Sequence, residues 1–192
     1  MRFPLSCVLI ASVAGTIALP VTLRAQDDAQ LKRDCAAGRA EACVELGDRC
    51  QSDYPLSEED WRCSASFYEQ GCNLGGGKGC RDLGRIYERG WSVPQDHARA
   101  ASLYQKACDL GQPTGCEWGA ELTALVGALP DSTRHPAFLE KGCDLGRGRL
   151  CHPLALMYDI GFWVPKDTAR ANELFKKGCL FEHEESCAMV RR

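Results

Sequence analysis

Apolar residues recur along this chain on a helical beat, and the beat restarts every 35 to 37 residues. With Cys35, Cys72, Cys108, Cys143 and Cys179 as origins, position −4 is Leu31, Tyr68, Tyr104, Leu139 and Phe175. In the last four units position −5 is Phe67, Leu103, Phe138 and Leu174, and position −1 is Gly71, Ala107, Gly142 and Gly178. These positions share one side of a helix, so each unit opens with a helix carrying a single apolar stripe. The stripe stops at Asn73-Leu74-Gly75, Asp109-Leu110-Gly111 or Asp144-Leu145-Gly146, where glycine suits the left-handed residue just past a helix end. A second helix follows. Its inner face holds Leu83 and Gly84, Gly119 and Ala120, or Leu154 and Ala155, small enough to let two helices approach closely. The loops Gly90-Trp91-Ser92-Val93-Pro94-Gln95-Asp96 and Gly161-Phe162-Trp163-Val164-Pro165-Lys166-Asp167 match position for position, and Gly127-Ala128-Leu129-Pro130-Asp131 is a shortened copy. Asp96 and Asp167 are placed to cap the helices after them. A fixed period of this length predicts an all-α stack of helix hairpins, at about 27–50, 58–90, 96–127, 132–161 and 167–191.

Each origin has a second cysteine eight residues on, giving Cys35/Cys43, Cys72/Cys80, Cys108/Cys116, Cys143/Cys151 and Cys179/Cys187. On one continuous helix that spacing would hold the two Cα atoms about 12 Å apart. A disulfide needs about 4.4–6.8 Å. A glycine turn folds the second helix back and permits closure, so hairpin and bridge predict each other. Cys50 and Cys63 flank the polar stretch Gln51-Ser52-Asp53-Tyr54-Pro55-Leu56-Ser57 and are expected to pair between the first and second hairpins. Metal binding is the rival reading of all twelve. There is no C-x-x-C, and the gap within each pair is not usual zinc spacing, so no metal is expected.

Composition adds the compartment. Thirteen cysteines in 192 residues exceed what a reducing cytosol usually holds. Met1-Arg2 is positive, Leu5 to Leu23 is almost uncharged, and Leu23-Arg24-Ala25 precedes Gln26-Asp27-Asp28. This is the order of a secretory signal peptide over residues 1–25, cleaved after Ala25, with the repeats filling 26–192. Its removal takes Cys7, Arg2 and Arg24, leaving twelve cysteines and shifting the net charge from −3 to −5. No later segment reaches the roughly 18 apolar residues of a membrane helix. The expected product is exported, periplasmic or secreted, with no membrane span. A pI near 5.8 gives no reason to expect nucleic acid as a partner.

The cysteine pairs in register and the two G-x-x-V-P-x-D loops resemble the Sel1-like repeat family, relatives of the tetratricopeptide repeats, and specifically its cysteine-rich subgroup, typified by the Helicobacter cysteine-rich proteins. The resemblance implies a right-handed α/α superhelix of five disulfide-stapled hairpins; the expected role is a non-catalytic scaffold that presents its helical surface to a protein, peptide or cell-wall ligand. The longer Cys50–Cys63 insertion, and Leu180-Phe181-Glu182 in place of Leu-Gly, depart from the pattern. Members of the subgroup are often described as penicillin-binding proteins with weak β-lactamase activity, which makes a β-lactam hydrolase the alternative. The residues do not supply its usual chemistry. No serine stands three residues before a lysine, and G-x-S-x-G, H-x-H and H-E-x-x-H are absent. With every mature cysteine paired, none is left as a nucleophile. No catalytic residue and no cofactor is assigned.

Binding residues come from the aligned units. Arg99, Arg134 and Arg170 stand at position −9, and Lys106, Lys141 and Lys177 at −2, two helical turns apart on one face. In repeats of this type the first helices line the concave surface. Stacking would therefore align three such faces into a basic ridge for carboxylates of a peptide or a peptidoglycan-like partner. The competing expectation is that these cations are soluble consensus positions whose stems cover apolar surface. Trp91, Phe162 and Trp163 are expected to cover edges between adjacent hairpins. Among the histidines, His135 occupies a small-residue place and reads as partly buried. His97 falls in a first helical turn, and His152 and His183 read as exposed.

Overall fold

The computed structural model describes residues 19–52, 56–125 and 134–190. Most of the expected leader, the middle of the Cys50–Cys63 loop and the short proline loop at Gly127–Asp131 lie outside these. The described residues form ten α-helices and no strand. They pair in chain order as α1 (Leu19–Ala36) with α2 (Ala40–Arg49), α3 (Glu58–Asn73) with α4 (Gly77–Arg89), and α5 (His97–Asp109) with α6 (Pro113–Leu125). Then come α7 (Arg134–Asp144) with α8 (Gly148–Ile160), and α9 (Thr168–Leu180) with α10 (Glu184–Val190). Each helix packs chiefly against its neighbours in sequence, which makes the molecule an α/α solenoid.

The same turn is built five times. In every hairpin the third residue after the leading cysteine is left-handed: Gly38, Gly75, Gly111, Gly146 and, in the last, Glu182. One residue later an amide reaches back over the turn, as Gly76 N to Gly71 O at 2.8 Å and His183 N to Gly178 O at 3.1 Å. These bonds satisfy carbonyls that a helix end leaves open. The reversal brings the cysteines together. Cα atoms are 4.8 Å apart in Cys35–Cys43 and Cys143–Cys151, 4.5 Å in Cys72–Cys80 and Cys179–Cys187, and 4.7 Å in Cys108–Cys116. Cys50–Cys63, at 5.9 Å, joins the end of α2 to α3.

The starts of α3, α5 and α9 are set by short polar side chains. Asp96 accepts from Arg99 N at 2.8 Å and Asp167 from Arg170 N at 2.9 Å. Ser57 and Asp60 form a reciprocal capping box, and these hydrogen bonds hold the Asp60 carboxyl below its usual range. At three junctions between hairpins an aromatic of the first-helix stripe, Tyr68, Tyr104 or Phe138, lands on a glycine of the preceding second helix. A Cβ on Gly84 would come within 2.7 Å of the Tyr104 ring, and one on Gly119 within 2.2 Å of Phe138. Tyr104 and Phe138 are completely buried there. Leu139, Leu154, Ala171, Leu174 and Phe175 continue the same core into the last two hairpins.

Candidate binding surface

The face opened by the first helices carries the cations at −9 and −2, and the structure gives most of them an internal task. Arg99 Nη2 lies 3.3 Å from Glu69 Oε1, and its guanidinium sits over the Tyr87 ring at 4.2 Å. Arg134 Nη1 donates to Ser102 Oγ at 3.1 Å. Arg170 pairs with Glu140 at 3.3 Å and Glu173 at 3.2 Å, and Lys177 reaches Asp144. The hydrogen bonds to Glu173 and Glu140 hold the Arg170 pKa above its ordinary value, against the opposing effect of burial. The partners Glu69, Ser102, Glu140 and Asp144 each belong to the preceding first helix, so these cations form a ladder that clasps successive hairpins. Lys106 and Lys141 are different: among the described residues neither has an acidic partner.

The second helices form another charged face, one that the repeat pattern of the sequence does not reveal. Lys78 of α4 reaches Asp48 of α2. Arg147 and Arg149 converge on the buried Glu117 of α6 at 2.8 and 2.7 Å. Arg81 grips Asp82 with two hydrogen bonds, at 2.9 and 2.7 Å, and reaches Thr114 of α6 at 3.2 Å. Beside it the Arg85 guanidinium carbon lies 5.5 Å from the ring centre of Trp91 and 5.5 Å from that of Trp118.

The loop aromatics fold back onto the first helices of their own hairpins. Trp91 stacks on Trp61 of α3 at 4.2 Å, and Ser92 Oγ donates to Glu58 O at 2.7 Å, which ties the loop to the start of α3. Trp163 meets His135 of α7 edge-on at 4.7 Å and stacks on Phe162 at 5.2 Å. Phe162 stays 53% exposed.

The histidines divide. His135 is buried; its Nδ1 donates to Ala120 O at 3.0 Å, and burial lowers its pKa despite that bond. His152 and His183 are not the exposed residues the sequence suggested, because both turn inward onto the fully buried Ser186. His183 Nδ1 accepts from Ser186 N at 3.4 Å and lies 3.0 Å from Ser186 Oγ, and its Nε2 lies 3.1 Å from Glu185. His152 Nδ1 is 3.3 Å from the same hydroxyl. A serine, a histidine and a carboxylate in line have the composition of a hydrolytic relay. Here, however, the hydroxyl has no exposed surface to meet a substrate, and the histidine is occupied as the cap of α10. The sequence signal was Ser186 itself, a polar residue at the place that is Ala42, Gly79, Gly115 or Leu150 elsewhere. Among the described residues no group of three or more histidines, cysteines or acids is placed to hold a metal ion. No described helix is long and apolar enough to cross a membrane.

Comparison with known proteins agrees with this geometry. The Sel1 repeat model matches residues 77–112 and 150–180, the α4–α5 and α8–α9 stretches. No curated protein matches. A protective antigen of uropathogenic Escherichia coli with an SLR fold is 25% identical with a TM-score of 0.65. That match covers 85% of this chain but 35% of the antigen, so the chain spans about a third of its length. A Sel1 repeat protein from Oxalobacter formigenes is 18% identical over 88% of this chain and 72% of its own, with a TM-score of 0.68. Helicobacter pylori cysteine rich protein B is 22% identical over 91% of this chain and 98% of its own, with a TM-score of 0.37. Six disulfides mark an oxidising, exported environment. With the family model falling on the α4–α5 and α8–α9 stretches and the solenoid shared with the antigen and the Oxalobacter protein, the chain is similar to Sel1 repeat proteins in these repeats and in fold.

Proposed function

We propose that the protein is an exported, non-catalytic scaffold, periplasmic or secreted after loss of residues 1–25, that holds a protein partner or a peptidoglycan-like ligand against its helical surface. The first-helix face of Arg99, Lys106, Arg134, Lys141, Arg170 and Lys177 is the docking surface for ligand carboxylates. One observation carries this reading: Lys106 and Lys141 recur one repeat apart without an acid of their own among the described residues, while the arginines beside them hold the frame together. The arginines thus set the spacing of the face and the two lysines meet the ligand. A rigid stack of stapled hairpins suits this task, since little ordering is left for binding to oppose.

The test is site-specific photo-crosslinking from positions 106 and 141 in the exporting cell, with recovered adducts identified by mass. Capture of one protein or of peptidoglycan fragments, lost when Lys106→Glu and Lys141→Glu are combined, supports the reading. Capture that survives the double charge reversal, no specific capture, or turnover of a chromogenic cephalosporin by repurified protein overturns it.

A further inference from the structure

Among the described residues Arg85 has neither a hydrogen bond nor an ion pair. Its neighbours on α4 show the contrast: Arg81 holds Asp82 and Thr114, Lys78 reaches Asp48, and Arg89 lies 3.8 Å from Glu88. What Arg85 has are two indoles, Trp91 from its own hairpin's loop and Trp118 from the next hairpin. Each indole packs on a further ring, Trp91 stacked on Trp61 at 4.2 Å and Trp118 in a T-shaped contact with Tyr104 at 5.9 Å. The guanidinium is therefore held in place while its N–H donors remain uncommitted, and Nε is shielded from solvent without an acceptor. Ring contacts offset part of the cost of such unmatched donors, but they accept no conventional hydrogen bond.

The repeat does not demand this cation. The equivalent residue, five past the trailing cysteine, is Asp48, Glu121 or Leu156 in three of the other hairpins and an arginine, Arg192, only in the last. Nor is Arg85 isolated. Lys78, Arg81, Arg85 and Arg89 lie along one face of α4, a positive strip on a chain of net charge −3. Asp82 and Glu88 on the same helix moderate that charge, which suits a single-charged carboxylate better than a phosphate. A guanidinium pre-set in its plane presents a fork that matches a carboxylate with two parallel hydrogen bonds.

We propose that Arg85 anchors a carboxylate site on the second-helix face, taking a Glu or Asp side chain from an acidic segment of a protein partner. This rests on the scaffold reading above but places the anchor on α4, away from Lys106 and Lys141.

The experiment titrates the full, oxidised chain with hexaglutamate at low salt, following the Arg85 Nε–H resonance by NMR and the emission of the flanking tryptophans. The resonance is identified by its absence in Arg85→Lys. The expected result is a saturable shift of that resonance, reversed by salt and absent with hexalysine, and an affinity at least about tenfold weaker in Arg85→Gln. Far-UV circular dichroism checks that the variant is folded; if it is not, the resonance of the unaltered chain decides. An Arg85 signal that stays fixed at saturation, an unchanged affinity in Arg85→Gln, or no binding at millimolar peptide overturns the anchor. Inorganic phosphate moving the same resonance at lower concentration than the peptide overturns its assignment to protein carboxylates. If hexaglutamate binds without touching Arg85, the anchor falls and the scaffold stands. The scaffold falls separately if crosslinks from positions 106 and 141 capture nothing.

Discussion

Glu182 turns the last hairpin at φ 61°, in the place where the other four hairpins use glycine at φ 78° to 89°. A side chain in the left-handed region costs roughly 1–2 kcal/mol. Part of that is recovered because Glu restricts the unfolded chain more than Gly does. Glu182→Gly is therefore expected to stabilise the protein by about 0.5–1 kcal/mol. A higher urea midpoint at unchanged slope would show it, and a lower one would mean that the Glu182 side chain contributes contacts outweighing the strain. This is also the position at which the sequence was most legible. Gly75, Gly111 and Gly146 each sit three residues past a cysteine and five before its partner, a spacing that only a reversal satisfies. Glu182 breaks the residue rule but keeps the geometry, because the pattern on either side of it is intact. Ser186 was less legible: its identity was visible, but the two histidines that face it come from a turn and from another helix.

Among the elements, α10 is the shortest, and it hangs on a histidine cap. His183 accepts from Ser186 N, and His152 of α8 supplies the second contact to the Ser186 hydroxyl. Burial lowers the His152 pKa from 6.5, and the nearby His183 adds to the effect; burial lowers that of His135 as well. A histidine whose folded pKa lies below its unfolded value binds fewer protons folded than unfolded. The stability it contributes is whole above about pH 6.5 and is lost as the pH falls through the folded value. Urea unfolding is expected to show a midpoint that drops between about pH 7 and pH 5, with a shallower drop in His152→Gln. A midpoint flat across that range would show that neither imidazole is held neutral. The helices themselves were readable from the stripe at −5, −4 and −1. Their charged faces were not, since Arg99 with Glu69 or Arg147 with Glu117 are partners some 30 residues apart whose meeting depends on how one hairpin rotates against the next. Arg85 was hidden for the same reason, because Trp118 reaches it from the following hairpin.

For the molecule as a whole, the five short bridges do what a small hairpin core cannot. Each closes a loop of eight residues and contributes on the order of 2.5 kcal/mol by the chain-entropy estimate. Full reduction is expected to abolish the cooperative thermal transition, with helical circular dichroism lost from the entire stack, since a loosened hairpin also deprives its neighbours of a packing surface. A reduced chain that still melts cooperatively near the oxidised midpoint would mean that stacking alone carries the fold. The bridges are also strictly local, because no sulfur looks further than thirteen residues for its mate. A chain emerging head-first into an oxidising space can thus lock each segment almost as soon as it arrives. Ordered closure of this kind leaves few unpaired thiols waiting for wrong mates, and it lessens the need for an isomerase to sort twelve sulfurs afterwards.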